Sequence, residues 1–491
     1  MSPLKEVFSG TLWVVAARWG MRGIGLISTV VLVRLLAPHD FGVVALAVLV
    51  LGAIEVFSYT GMVTYIIRHP DPQRSHFDTV FTLQLIIGCV LAVVVFLAAP
   101  YGAAFFREPE TEAVIRWLAL RPILYGVENP GVIWFRKNMR FSKDFEFMVL
   151  NKLASFGITI AAAIVFRSYW ALVTGILVGG AIGVAQTYWM HPFRPRLSLA
   201  EVGVVWRFSA WMLVANVMDF LNTKMDEIII GRLRSTTEMG YYNVGADIAA
   251  TPVQELIYPM TRVWEPAFAK LAADPQTLER TYRWVISAVA IVAFSVSAGL
   301  ALVAHDFALI VLGEKWIPAV PVIRILAIAA GLAAMTMPMA SVLGATADPR
   351  ISAALGAMRT VLLLAAMLPA AMWYGLPEVA GGRAVATGVA LLVSFLVFER
   401  VVRLPPLTLL RSVVRPLLAA LAMSAVVLAV QGAMPDVPAV RLVACVVVGA
   451  GAFTAALLGL WIAVGRPASV EADALRWGVS ALRAWRARRA G

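Results

Sequence analysis

The sequence predicts an all-α integral membrane protein of about fourteen transmembrane helices: two parallel six-helix lobes followed by two further helices. Three observations carry this reading. Of the 491 residues, 61% are apolar and only 14% charged, with a mean hydropathy of +0.83, whereas soluble domains average about 45–50% apolar and about 25% charged. Apolar runs of the ~20 residues needed to cross a bilayer recur along almost the whole chain, with no long polar segment between them. The second part of the chain also repeats features of the first.

Taken in order, the expected spans are 10–33, 41–66, 79–100, 113–134, 146–166, 169–190, 207–231, 239–261, 283–304, 318–345, 352–374, 378–399, 412–432 and 440–464. The first contains Arg18 and Arg22 and leads to no small-residue cleavage site, so it reads as a membrane helix and not as a cleavable signal. The seventh and eighth are unusually polar. The implied domains are an N-lobe (1–190), a cytoplasmic linker (191–206), a C-lobe (207–403), two appended helices (404–465) and a basic tail (466–491). In that tail Leu475, Val479, Leu482 and Trp485 recur at helical spacing among arginines. This is the pattern of an amphipathic helix lying on an anionic leaflet.

Net charge is +12 and the pI about 10. In a soluble protein that balance points to nucleic acid. Here the cations sit in short loops, so they report topology and no nucleic-acid partner is expected. With a cytoplasmic N-terminus, about 25 loop and tail cations fall inside against 7 outside, the latter being Arg34, Arg107, Arg167, Arg232, Arg234, Lys315 and Arg383. The positive-inside rule then places both termini in the cytoplasm.

The internal repeat has two registers. Arg34-Leu35 with Asp40-Phe41-Gly42 matches Arg232-Leu233 with Glu238-Met239-Gly240, an offset of 198 residues. Val114-Ile115-Arg116 with Leu118-Ala119 matches Val322-Ile323-Arg324 with Leu326-Ala327, an offset of 208 that also carries Pro130 onto Pro338. Spans 1–6 therefore look like a copy of spans 7–12. Six is even, so both copies share one orientation and relate by an axis along the membrane normal, a common transporter architecture.

No enzyme signature stands out: there is no GxSxG, HExxH, Walker loop or paired CxxC. His39, His69, His76, His191 and His305 fall in loops or at span ends. Cys89 and Cys445 lie inside apolar runs and read as small buried apolar residues, not as a disulfide or metal site. No cofactor or metal is expected. A membrane glycosyltransferase or polymerase, which needs only scattered carboxylates, stays open. The lack of a large extracytoplasmic loop argues against a polymerase.

The informative residues are charges inside spans, because each costs several kcal/mol near the bilayer centre unless it faces a cavity or a partner. Arg18 and Arg22 lie four apart on one face of span 1, Arg18 roughly 12 Å along the helix. Arginine stays protonated and presents a planar fork to phosphate oxygens. Span 4 adds Arg121, Tyr125, Glu128 and Asn129 on one face. Span 7 carries Asn216, Asp219, Thr223, Asp226 and Glu227 within about a third of the circumference, with Lys224 beside them. Span 8 carries Asn243, Asp247, Thr251, Gln254, Glu255 and Tyr258 in steps of three or four. Arg18, Arg22 and Arg121 are the expected ligands of an anionic headgroup, a diphosphate in the substrate that the resemblance described below implies. Glu128, Asn216, Asp219, Lys224, Asp226, Asn243, Asp247, Thr251 and Glu255 are expected polar cavity residues with a possible role in ion coupling.

Three segments carry a family resemblance: Arg34-Leu35-Leu36-Ala37-Pro38-His39-Asp40-Phe41-Gly42; Met225-Asp226-Glu227-Ile228-Ile229-Ile230-Gly231-Arg232 with Gly240-Tyr241-Tyr242-Asn243; and Leu312-Gly313-Glu314-Lys315-Trp316 with Val322-Ile323-Arg324-Ile325-Leu326-Ala327. In this order and spacing the chain resembles the polysaccharide transporter branch of the MOP superfamily, the Wzx-type flippases of O-antigen, exopolysaccharide and teichuronic-type repeat units. The resemblance implies twelve core helices in two lobes around a central cavity. It implies alternating access and an undecaprenyl-diphosphate-linked saccharide as substrate, with polysaccharide polymerase or export machinery as possible partners alongside membrane lipids. Arg18 and Arg22 match the family's cationic cavity residues in type only. The alternatives are a lipid II flippase or a cation-coupled multidrug exporter of the same superfamily.

Overall fold

The computed structural model describes residues 20, 23–25, 27–58, 62–138, 141–272, 274–346, 349–402, 406–466, 470–473 and 476. Almost all of them are helical and no strand occurs among them. This is the expected solution in hydrocarbon, where every backbone polar group has to be satisfied within its own segment. The chain forms two compact units, Met1–Asn243 and Val244–Gly491.

In the first unit α1 (Gly23–Leu35) leads into α2 (Pro38–Glu55), α3 (Met62–Arg68) and the long α4 (Arg74–Phe106). Next come α5 (Glu110–Leu118), α6 (Leu120–Gly126), α7 (Ile133–Lys137), α8 (Phe141–Phe166), α9 (Trp170–Met190) and α10 (Val202–Leu233). The boundary between units falls inside α11 (Thr236–Leu271). The second unit continues with α12 (Pro275–Phe307), α13 (Val320–Ala334), α14 (Thr336–Thr346), α15 (Pro349–Trp373), α16 (Leu376–Val402), α17 (Pro406–Ala433) and α18 (Pro438–Ala463).

Ten described segments are long and apolar enough to cross a membrane. α10 and α11, at 32 and 36 residues, are long enough as well, at roughly 1.5 Å per residue, but carry the polar residues noted above. Two expected spans are interrupted. Span 4 divides at Ala119 into α5 and α6, because Pro122 has no N–H for the carbonyl of Leu118 and its ring crowds that turn. Span 2 divides after Glu55, where α2 passes into a short 3₁₀ turn ahead of α3.

Each helix shows an apolar face to the protein and another to lipid. On α4, Leu91, Ala92, Val95 and Ala99 are buried, while Val90, Val93, Val94 and Leu97 are exposed. Cys445 is buried as expected, but Cys89 is exposed. An apolar run marks a helix in hydrocarbon without saying which of its faces meets protein. In the second unit Tyr282, Ile286, Val289 and Phe294 of α12 anchor a core with Met335, Met339 and Phe398.

Contacts between helix ends and turns include two sets. One joins turns after odd-numbered spans: His39 with Glu108, the Tyr169 N–H to Asp40, Thr236 to Glu108, and Arg441 to Asp306. The other joins turns after even-numbered spans, with the C-terminal segment. Lys137 donates to the carbonyls of Ile66, Ile67 and His69, Arg74 to that of Arg194, and the Arg196 N–H to Asp78. There Arg415 also pairs with Glu471, and Trp284 donates to Asp473. The first set is rich in carboxylates and the second in cations.

Candidate functional site

The first unit encloses a polar cavity of about 220 Å³, lined by Glu55, Gln84, Arg121, Tyr125 and Glu128, with Gly88 and Gly180 in its wall. Local sequence explains its shape. The break at Pro122 turns α6 toward α4, and two glycines let the helices touch. A Cβ on Gly88 would lie 2.4 Å from the carbonyl oxygen of Pro122, and one on Gly126 would lie 2.8 Å from that of Gln84. Small residues at close crossings are the usual way membrane helices associate. Glu55, on the last turn of α2, is 12% exposed and sits 3.5 Å from the guanidinium of Arg121. One guanidinium among two carboxylates, an amide and a phenol makes a hydrogen-bonding surface with little net charge. Such a surface can replace the hydration of sugar hydroxyls.

Of the span 4 stripe, Arg121, Tyr125 and Glu128 line this cavity. Asn129 does not: it is fully buried and staples the chain together. Its amide donates to the carbonyl of Phe193 at 2.8 Å, its side-chain oxygen accepts from the Gly131 N–H at 2.9 Å, and its own N–H donates to Thr187.

The α10 stripe divides in the same way. Asn216 is half-buried and Asp219 exposed. Lys224 pairs with Glu227 at 2.6 Å. Asp226 is buried and accepts the Tyr242 hydroxyl at 2.7 Å, tying the end of α10 to the start of α11. On α11, Asn243 and Glu255 are half-buried and Asp247 exposed, and buried Thr251 turns its hydroxyl back to the carbonyl of Asp247. Arg18 and Arg22 lie outside the described residues. The sequence reading does not single out Glu55 or Gln84. Glu55 was open to the rule used for the other spans, being the single ionised side chain in 41–66. Gln84, uncharged, offers no comparable signal.

Several residues matched in the sequence are also alike in their surroundings. At the 208-residue offset the matched residues are buried alike: Val114, Ile115, Leu118 and Ala119 on one side; Val322, Ile323, Leu326 and Ala327 on the other. Arg116 and Arg324 are both exposed. At the 198-residue offset the same cap forms twice. Asp40 accepts the Ala37 N–H at 2.7 Å and Glu238 accepts the Ser235 N–H at 3.1 Å, the carboxylate arm of a capping box. Burial tends to raise the Glu238 carboxyl, yet the Arg234 and Ser235 donors hold it below its ordinary value. The two caps also pack against each other. A Cβ on Gly42 would lie 1.9 Å from the carbonyl oxygen of Thr236, and one on Gly240 would lie 1.9 Å from that of Pro38. Since 38 and 236 are themselves an offset pair, this crossing of α2 with α11 is reciprocal.

Residues 31–321, more than half of the chain, match the model of the polysaccharide biosynthesis protein family. The chain belongs to that family. It is 27% identical over 372 residues to the lipopolysaccharide biosynthesis protein WzxC of Escherichia coli (strain K12), covering 75% of this chain and 76% of that one. It is 23% identical over 331 residues to the succinoglycan biosynthesis transport protein ExoT of Rhizobium meliloti (strain 1021), covering 67% of each. In fold it is similar to the lipid II flippase MurJ in an inward closed conformation, with a TM-score of 0.74 over 92% of this chain and 99% of that one, at 10% identity. An inward-facing multidrug resistance MATE family transporter of the MOP superfamily gives a TM-score of 0.58 over 79% of this chain and 98% of that one, at 15% identity. The family member described here thus has the multi-pass helical fold of that superfamily.

Proposed function

We propose that the protein is a flippase that carries a lipid-diphosphate-linked oligosaccharide repeat unit from the cytoplasmic to the outer leaflet, for export of exopolysaccharide, O-antigen or a similar surface polysaccharide. The observation that carries the reading is the polar cavity of Glu55, Gln84, Arg121, Tyr125 and Glu128 inside a membrane protein of the polysaccharide biosynthesis family. WzxC and ExoT, by their names proteins of lipopolysaccharide biosynthesis and succinoglycan transport, support it. The activity is transport and not catalysis.

A diphosphate with a sugar chain does not cross hydrocarbon unaided, because its charges and hydroxyls lose water. The cavity of the first unit supplies hydrogen bonds to the saccharide. Arg18 and Arg22, four residues apart in the sequence, supply cationic forks to the diphosphate, and the polyprenyl tail stays in lipid. Arg121, its charge offset by Glu55, adds donors to the headgroup without adding net charge. With the cell interior negative, moving about two negative charges outward gains ~2.3 kcal/mol per charge per 100 mV. The reciprocal crossing of α2 with α11, within the first unit, is a contact that transport has to break to open the outer side. The cation-rich turns face the cytoplasm, with both termini, and polymerase or export proteins receive the product outside. The test is ligand selectivity of the purified protein. Undecaprenyl-diphosphate-oligosaccharide should compete for binding, whereas undecaprenyl phosphate without sugar and an organic cation should not. Competition by the cation alone would favour the exporter reading.

A further inference from the structure

Where the two copies of the repeat meet, the structure gathers three metal-ligating side chains that the transport reading does not use. Nε2 of His39, in the first turn of α2, lies 3.5 Å from Oε2 of Glu108, in the α4–α5 turn. Glu110, the first residue of α5, completes the group, and the three ligand atoms fall within 4.8 Å of one another. We infer that His39, Glu108 and Glu110 form an extracytoplasmic site for a zinc-class divalent cation, and that the bound ion latches the α2–α11 crossing shut. This inference rests on the flippase reading above for its effect on transport, but not for its binding.

The geometry suits the ion. Tetrahedral zinc with bonds of ~2.0–2.2 Å holds neighbouring ligand atoms about 3.4 Å apart, close to the His39–Glu108 separation. Glu110 is exposed and reaches the remaining distance by side-chain rotation. One imidazole with two carboxylates selects zinc or its transition-metal neighbours over calcium and magnesium, which favour all-oxygen shells. Three protein ligands leave a fourth position for water. Asp40 lies outside the group of three, and its two oxygens accept the N–H groups of Ala37 and Tyr169. Arg107 precedes Glu108 and is the nearest cation in sequence. Zinc displaces no ion pair between the two, as none occurs among the described contacts.

The latch follows from what Glu108 already holds. Its carboxylate accepts the hydroxyl of Thr236, the first residue of α11, and the carbonyl of the same Thr236 abuts Gly42 of α2. An ion shared by His39 and Glu108 therefore links α2 to the group that grips α11. Opening the outer side requires the two helices to part, so a bound cation opposes it.

Zinc chloride and, separately, magnesium chloride are titrated by calorimetry into the detergent-purified chain, His39→Ala and Glu108→Gln. The glutamine keeps an acceptor for Thr236 but loses the anionic ligand. Zinc should bind the parent saturably and each variant about tenfold more weakly or worse, since even partners outside the ligand shell shift affinity by ~10–100-fold. Magnesium should not bind. In proteoliposomes, zinc on the outer face should slow translocation by the parent several-fold and leave His39→Ala unchanged. Absence of saturable zinc binding, or equal affinity in His39→Ala, would overturn the site. Binding without slowed transport would overturn the latch, and binding by a preparation that transports nothing would instead count against the flippase reading.

Discussion

Replacing Gly42 by alanine probes the α2–α11 crossing most directly. The added Cβ would lie 1.9 Å from the carbonyl oxygen of Thr236, and Cβ atoms essentially never come within 3.0 Å of another heavy atom, so the helices have to part by at least about 1.1 Å. The obstacle is backbone and cannot rotate away. Overpacking of this kind costs about 1–3 kcal/mol. If the crossing exists only while the outer side is closed, that cost falls on the closed state alone and shifts the equilibrium by about 5–150-fold. The assay is labelling of a cysteine at Thr237 by a membrane-impermeant maleimide, with Cys89 and Cys445 replaced. Labelling should rise in Gly42→Ala and in Gly240→Ala. In the double variant it should rise by less than the product of the two, because helices already parted by the first methyl accommodate the second. Labelling unchanged from the parent in both single variants, or strictly multiplicative in the double, would show that the crossing does not hold the outer side closed.

Three further outcomes follow from the structure. Asp306→Asn weakens a two-pronged pair in which Arg441 donates through both Nε, at 2.7 Å, and Nη2; Asp306 is only 3% exposed, so the midpoint of thermal unfolding in detergent should fall, and an unchanged midpoint would remove the pair's structural role. Arg121→Glu should cut translocation roughly tenfold, about 1.4 kcal/mol, and Glu55→Arg on that background should restore much of it if the pair acts as a unit; no recovery would separate the two roles. Asn129→Ala should lower stability by about 1–3 kcal/mol by leaving the buried Gly131 N–H without the side-chain oxygen it donates to, while the surviving protein keeps its ligand selectivity.

What the sequence made legible follows from what periodicity can encode. The matched segments at both offsets are short, yet each fixes a cap or a buried ridge that recurs in space, so Asp40 and Glu238, or Ile115 and Ile323, behave alike. A polar stripe on a helix is another matter. It says which side chains share a face but not what covers that face. Asn129 and Asp226 belong to such stripes and prove to be buried structural groups, whereas Arg121 and Glu128 line a cavity. Cys89 shows the converse, since lipid and protein look the same to an apolar run. The break in span 4 was written in Pro122 but is masked by hydropathy, which averages through a kink. Glu55 is legible in the sequence, because one carboxylate in an apolar span is itself the signal.

The proposed activity is movement of a lipid-diphosphate-linked saccharide across a bilayer. The most direct measurement places the purified protein in liposomes whose inner leaflet carries a fluorescent undecaprenyl-diphosphate-oligosaccharide, and follows exposure of the sugar to an impermeant enzyme outside. Exposure should be fast with the parent chain, faster with the interior negative, and lost in Arg18→Ala,Arg22→Ala protein that still inserts. Exposure no faster than in protein-free liposomes, or equal in that double variant, would contradict the account.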